Sequence, residues 1–557
     1  MCNFAIRLVG INLLYPIYSY VHYVIKKKHC CFMMKKNTSL PNTFLWFFIL
    51  ICHLLLFTAC PSSKKTQTKA KLSGKNDGKI EVVLLQMNDV YEITPLENGK
   101  VGGMARVAQL RNQLKQKNKN TFTILAGDFL SPSVLGTVKN EGKRIAGAQM
   151  VDVMNTMGVD LVVFGNHEFD IKEADLQSRL NESKFVWVAS NVKHVPSGKD
   201  PQQPFAKIDE NGKATPLPEV YVIEAADADG TTLRIGVIGV TLPANKANYV
   251  HYDDAFVKAR EMYKRLAKQT DFVIGITHQS IEEDMQIAAQ IPEVKLWLGG
   301  HEHQNMLHKV GTASIAKADA NAKTVYIHTL SYNRTNKTLQ VRSNLQSITD
   351  KLSDDPATAA VVNKWVQIGE ANFASQGFKT DEVVAVIPEN APLEGREAYV
   401  RIQPTNLASI IANAFLKAYP TADAALLNTG SIRIDDQLVG KITQYDILRV
   451  LPFGGGISEV EMKGSLLIKL LDTGEINKGS GGYLQYAQIE KQQNTWLIKK
   501  QPVSETATYK IVVPDFLLTG GEKNMDWFTE KNPEIIKINK ANTDITNDTR
   551  KVVITYW

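Results

Sequence analysis

The chain has 557 residues, 44% apolar and 22% charged, with a formal net charge of +7. That length exceeds one typical hydrophobic core and predicts two domains. The first 79 residues hold 12 Lys and Arg against one acid, a net +11, which leaves the rest of the chain at −4. A mildly acidic body lacks the concentrated basic surface that phosphate backbones demand, so no nucleic-acid partner is expected.

All five cysteines (Cys2, Cys30, Cys31, Cys52 and Cys60) precede residue 61, so the body can form neither a disulfide nor a thiolate site. Residues 1–60 read as a leader. Lys35 and Lys36 precede an apolar run from Phe44 to Phe57, followed by Thr58-Ala59-Cys60, which is the layout of a secretory signal. The run is shorter than the roughly 18–20 residues of a membrane span. With cysteine after small residues, the segment resembles a bacterial lipoprotein signal, in which Cys60 is lipidated and becomes the mature N-terminus. The implied location is the bacterial cell envelope, facing the periplasm or the cell surface. Residues 1–32 are either an over-extended start or a second hydrophobic segment. Residues 61–79 contain Leu72 as their only large apolar side chain before the body begins at Ile80, and read as a flexible tether.

From Ile80 to about residue 345, apolar runs such as IEVVLLQM, TFTILA, VDLVVF, LRIGVIGV, DFVIGI and VKLWLGG alternate with helical stretches. Near-continuous hydrophobicity predicts strands covered on both faces, and the alternation predicts an α/β layered domain. Residues 346–380 form a linker whose core, Asp355 to Phe378, reads as an amphipathic helix after Pro356. A second, smaller α/β region spans 381–557. There VRIQPTNLASIIANAFLKAY reads as mostly helical, and AALLNTGSIR, ISEVEMKG, YKIVVPDF and RKVVITYW read as strands.

Polar side chains cluster at the C-terminal ends of the strands in the first region. MNDVYE supplies Asp89, LAGDF supplies Asp128, FGNHEFD supplies Asn166 and His167, ITHQS supplies His278, and LGGHEH supplies His301 and His303. One such residue is ordinarily a cap, a turn former or a satisfied core group. Five in succession at strand C-termini, where open α/β sheets place their sites, point to metal chemistry. Carboxylate, amide and imidazole donors without sulfur suit Mn, Zn, Fe or Co.

In this order the motifs resemble the calcineurin-like metallophosphoesterases, in the bacterial 5′-nucleotidase branch with a C-terminal nucleotide-binding domain. The resemblance implies a four-layer α-β-β-α domain followed by a smaller α/β substrate-binding domain. It implies two divalent ions, one held by Asp89 and His303, the other by Asn166, His278 and His301, with Asp128 shared. His167, oriented by Asp170, would stabilise charge and protonate the leaving oxygen while a hydroxide between the ions attacks phosphorus. Tyr91 stands where the family has a histidine ligand, and is expected either to bind as phenolate or to point away and leave a water in its place.

In the second region, LLNTGSIRIDD and ITQYDILRVLPFGG resemble the family's nucleotide-binding motifs. They place Asn428, Arg433 and Phe453 on substrate-contacting positions, and Arg401 in VRIQPTN on a phosphate-contacting one. Arg433 would grip phosphate and Phe453 would stack on a base. Asn524 falls where a second stacking aromatic is usual, with Trp527 and Phe528 nearby. The implied function is a monomeric, metal-dependent phosphoester hydrolase of 5′-nucleotidase type. Alternatives are a phosphodiesterase or pyrophosphatase acting on nucleotide sugars or cyclic nucleotides, and a catalytically weakened nucleotide-binding lipoprotein.

Overall fold

The computed structural model describes residues 77–198, 201–244, 247–540 and 542–557. The leader, Cys60 and the tether through residue 76 lie outside them. Strand β1 (Lys79–Met87) begins with alternating exposure and ends fully buried, as the change from KIE to VVLLQM dictates. It pairs in parallel with β2 (Thr121–Leu125), which leads to β3 (Leu161–Val163) and β4 (Val186–Val188).

A second series follows: β5 (Val220–Ala226), β6 (Thr232–Thr241), β7 (Phe272–His278), β8 (Leu296–Gly300), β9 (Met306–Val310) and β10 (Ala313–Lys317). The hairpin β11 (Thr324–Asn333) and β12 (Thr338–Ser347) then returns to the first sheet. The result is two six-stranded sheets, β12-β11-β1-β2-β3-β4 and β5-β6-β7-β8-β10-β9.

The sheets face one another through Leu84, Ile124, Val163, Val237, Ile276 and Leu298. Helices α1 (Met104–Lys117) and α2 (Ala148–Met157) cover the outside of the first sheet, and α4 (Ala255–Leu266) and α5 (Ile281–Gln290) cover the second; α3 (Glu173–Glu182) lies between β3 and β4 in the chain. This is the four-layer α-β-β-α arrangement, in which each fully buried Leu or Ile contributes about 1.5–3 kcal/mol. Gln86 builds a polar bridge across the layers. Gln86 on β1 donates to the carbonyls of Gly299 (3.0 Å) and Ala316 (2.8 Å) in the other sheet. Its amide oxygen lies 2.8 Å from His328 Nε2, whose Nδ1 lies 2.8 Å from Ser343 Oγ.

Helix α6 (Pro356–Ser375) forms where a helix is expected: Asp355 caps it by accepting from Thr358 N at 2.9 Å, and Pro356 opens its first turn. It is not a free spacer, however. Val362, Trp365 and Phe373 pack into the first domain's outer core, and Trp365 Nε1 donates to Asp152 on α2 at 2.9 Å.

Beyond it, β13 (Ala424–Asn428), β14 (Ile457–Lys463), β15 (Leu484–Ala487), β16 (Thr508–Pro514) and β17 (Ile535–Asn539) form a five-stranded sheet in the order β15-β13-β16-β14-β17. Helices α7 (Asn406–Ala418), α8 (Gln444–Val450) and α10 (Thr549–Tyr556) bury one apolar cluster against it, and α9 (Gly464–Ile476) another. Helix α10 corrects the strand reading of RKVVITYW. Its β-branched residues suggest a strand, but Asp548 caps a helix by accepting from Arg550 N, and Val552 and Val553 bury together in the α7 cluster. Packing of an amphipathic face outweighs a propensity of a few tenths of a kcal/mol per residue. Among the described residues, no helix is long and apolar enough to cross a membrane.

Candidate active site

The C-terminal ends of β1, β2, β3, β7 and β8 open onto one buried cluster. Asp89, Asp128 and His301 adopt left-handed backbone conformations, with φ of 53°, 57° and 84°. Such conformations cost about 1–3 kcal/mol each in non-glycine residues and persist where surrounding structure enforces them. The enforcement is close packing: a Cβ on Gly165 would lie 2.1 Å from Asp128 Oδ1, and one on Gly127, itself at φ +80°, would lie 2.6 Å from His278 Nδ1. The glycines of GD and GN therefore let three loops share one small volume.

Each anchored donor spends one atom on the scaffold and turns the other inward. Asp89 Oδ2 accepts from Asn88 Nδ2 (2.8 Å) and His301 N (3.0 Å), leaving Oδ1 for the cluster. Asp128 Oδ1 accepts from His167 N at 2.7 Å, while Oδ2 lies 3.0 Å from His278 Nε2. His278 Nδ1 donates to the Ala126 carbonyl at 2.7 Å, and His303 Nδ1 abuts Asp435, so both imidazoles present Nε2.

The donor set fits metal ions. Asp89, Asp128 and His278 offer donor atoms within 4.8 Å of one another. Asn166 is buried, and its Oδ1 has no hydrogen-bond partner among the described residues. Burial opposes charge on His278, yet Asp128 and Asp89 lift its pKa to about 10. The carboxylates thus create a field that demands a cation. Burial and the neighbouring His278 push His301 down to about 4, which keeps a lone pair available for coordination. Its ring lies 5.5 Å from that of His278. Tyr91 points into the cluster, its Oη 3.1 Å from His303 Nε2 and 3.3 Å from Asp128 Oδ2, which removes the outward-pointing alternative.

Beside the cluster, His167 Nδ1 pairs with Asp170 Oδ2 at 2.6 Å. Burial opposes protonation of His167, but Asp128 and Asp170 raise its pKa above the ordinary value. Arg433, from the second domain, brings Nη2 to 3.4 Å from His167 Nδ1 and 3.8 Å from Asp170. Phe453 lies beside it, its ring centroid 5.9 Å from the guanidinium carbon. Arg401 joins through Glu397, which pairs with both arginines. Asn428 instead joins two loops, donating to Glu522 of a distant one (2.7 Å) and accepting from Ser431 of its own (2.8 Å). Of the aromatic candidates, Phe528 is fully buried in the α9 cluster and cannot stack on a ligand. Trp527 is covered by Lys469, 4.0 Å above its ring, and Asn524 donates to Asn477 at 2.8 Å.

Three residues escaped the sequence reading. Glu168 accepts four backbone N–H groups, those of Gly165 (2.6 Å), Asp128 (2.9 Å), Phe129 (2.7 Å) and Leu130 (3.1 Å), and so ties two metal-site loops together. Burial and the Asp128 charge push its pKa up to about 7. Its signal was available: a carboxylate inside GNHEFD with no assigned task. Glu397 carried a local signal too, lying four residues before Arg401, whereas Asp435 carried none, because its partner His303 comes from a distant segment.

Residues 82–305 match the calcineurin-like phosphoesterase family, and residues 383–530 match the 5′-nucleotidase C-terminal domain. The chain carries a calcineurin-like phosphoesterase domain followed by a 5′-nucleotidase C-terminal domain. It is a 5′-nucleotidase-like metallophosphoesterase, and enzymes of this family hydrolyse phosphoesters with divalent metal ions. The phosphoesterase is 24% identical over 548 residues to the 5′-nucleotidase of Homo sapiens, covering 86% of this chain and 88% of that protein. It is 23% identical over 513 residues to the 5′-nucleotidase of Vibrio cholerae, covering 80% and 86%. A crystal structure of a 5′-nucleotidase precursor from Thermus thermophilus shares the fold, with a TM-score of 0.64 at 20% identity over 86% of this chain and 96% of that one.

Proposed function

We propose that the protein is an exported, lipid-tethered 5′-nucleotidase that releases inorganic phosphate from nucleotides. The observation that carries the reading is the approach of Arg433 to His167 and Asp170. A second-domain guanidinium and a first-domain acid–base pair thereby face the same point beside the donor cluster. A phosphoryl group placed there meets a bidentate cation on one side and a proton source on the other.

In this reading Asp89 and His303 hold one ion, Asn166, His278 and His301 hold the other, and Asp128 is shared. Bound divalent ions supply positive charge and an acidified water for attack on phosphorus. Asp170 fixes the tautomer and orientation of His167. As the bond from phosphorus to the leaving oxygen breaks, His167 stabilises the developing charge and delivers a proton to that oxygen. Arg433 and Arg401 bind the phosphate, releasing Glu397 as their resting partner. Phe453, 59% exposed, offers a ring face to the base, and Asn428 shapes the loop behind it. Residues 80–345 form the catalytic domain, 346–380 the linker and 381–557 the substrate domain of a monomer anchored through lipidated Cys60 in the cell envelope. The names of the relatives support the nucleotide, and the leader supports export.

A larger substrate is favoured by one observation. A cavity of about 1080 Å³ runs from His167, Asp170, Arg433 and Phe453 past Lys143 and Arg144, which leaves room for a nucleotide sugar on a phosphodiesterase or pyrophosphatase reading. A substrate panel with added Mn²⁺ or Co²⁺ tests both. Phosphate release from nucleoside monophosphates supports the first reading, cleavage of nucleotide sugars alone supports the second, and binding without turnover removes both. His167→Ala is expected to lower turnover about 10²-fold with metal content retained, and an unchanged rate excludes His167 from the chemistry.

A further inference from the structure

The phenol of Tyr91 is buried among metal-type donors. Its backbone N–H donates to Asn321 Oδ1 at 3.0 Å, and so does that of Glu92 at 3.1 Å, which fixes the loop. The side chain is 7% exposed. Its Oη lies 3.4 Å from Asp89 Oδ1 and 3.1 Å from His303 Nε2, which are themselves 3.3 Å apart. A fourth donor, Asp128 Oδ2, lies 3.3 Å from Oη.

Hydrogen bonding alone does not account for this arrangement. Asp435 lies against His303 Nδ1, so Nε2 is the ring atom that faces the phenol. Asp89 Oδ1 and Asp128 Oδ2 are both acceptors, and one phenolic hydrogen cannot serve the two at full strength. Coordination resolves the conflict. Donors 2.0–2.2 Å from a common ion stand about 3.0 Å apart along an octahedral edge and about 3.4 Å along a tetrahedral one. The nearly equilateral triangle of Tyr91, Asp89 and His303 has those edges.

We infer that Tyr91 is a ligand of the ion held by Asp89 and His303, with its phenol oxygen bound directly. The inference rests on the metallophosphoesterase reading of the same cluster. On binding, the Oη–H bond breaks, an Oη–metal bond forms, and one proton leaves to solvent. The set becomes three anionic oxygens, with Asp128 counted, and one imidazole. By contrast, the second ion meets the same Asp128 with the neutral Asn166, His278 and His301, a set with one anionic oxygen and two imidazole nitrogens. The two positions therefore differ in hardness, and the Tyr91 position prefers the harder cation.

Ferric ion is the probe, because a phenolate bound to Fe(III) absorbs visible light by charge transfer, whereas carboxylate and imidazole ligands leave the ion nearly colourless. The full-length protein, stripped of metal and titrated with ferric citrate, is expected to develop a visible band that saturates at one equivalent. Tyr91→Phe is expected to lose the band and to bind that equivalent at least about 10-fold more weakly. Tyr91→His is expected to keep two equivalents of divalent metal but show no band. Iron bound without a band, or an unchanged band in Tyr91→Phe, overturns the inference. If a variant fails to fold, resonance Raman on the wild-type ferric protein decides: ring modes of a bound tyrosinate support the inference, and their absence overturns it. The outcomes separate from those of the parent reading. Wild-type protein that binds no metal and hydrolyses no phosphoester defeats both, whereas bound metal and turnover without a tyrosinate signature defeat only the role of Tyr91.

Discussion

The two walls of the site are held in opposite ways. Asp89, Asp128 and His278 are at most 1% exposed, and each has a second atom fastened to backbone or a neighbouring amide. The facing wall is looser. Phe453 is largely exposed, and Gly454 and Gly455 beside it both have positive φ. Arg433 is held by ion pairs near 3.8 Å rather than by short hydrogen bonds. The donor cluster is preorganised, which is what electrostatic catalysis requires, while the wall proposed to read the rest of the substrate is left able to adjust.

Substitutions break this contrast in a defined order. Asp128→Ala removes the ligand proposed to be shared and is expected to lose bound metal, by elemental analysis, and about 10³-fold in turnover. Retention of both would mean that the cluster is not the reaction centre. Glu168→Ala strands four buried N–H groups and is expected to cost about 3 kcal/mol or more in chemical denaturation; a change below about 1 kcal/mol would show that water replaces the carboxylate. On the looser wall, Arg433→Ala is expected to reduce kcat/KM about 10²-fold with metal content intact. Phe453→Ala is expected to act mainly on KM, by about 10-fold or less for nucleotides and negligibly for an aryl phosphate.

A pH-dependent effect tests the scaffold itself. Burial drives the pKa of His328 from 6.5 down to about 3, so it is neutral in the fold. Its contribution is complete above pH 6.5 and declines as pH falls toward 3, by at most about 1.4 kcal/mol per pH unit, because the unfolded chain gains the proton first. His328→Gln is therefore expected to flatten stability across that window, as read from denaturation midpoints at several pH values.

What the sequence disclosed follows from how local each feature is. The strand runs and the motifs holding Asp128, Asn166 and His301 are contiguous, so periodicity and residue type were enough to place them on strand ends. Glu397 pairs with Arg401 at a spacing of four, but its approach to Arg433 and that of Asp435 to His303 arise from the tertiary fold, contacts that no spacing encodes. The outward-or-inward choice at Tyr91 depended on distances to Asp89, Asp128 and His303, which span 212 residues between Tyr91 and His303. At the C-terminus, β-branched residues masked the helix because the burial of Val552 and Val553 against α7 is a tertiary fact. The lipoprotein signal and Cys60 belong to residues outside those described.

Asp435 comes from the substrate domain, yet it buttresses His303 of the catalytic domain. If His303 holds an ion as proposed, ion occupancy and the clasp between the two halves share one side-chain contact, and linkage makes their dependence mutual. Whatever free energy the clasp then lends to the ion, the ion returns to the clasp, so removing the ion would weaken the contact between the halves to the same degree that breaking the contact weakens the ion's hold.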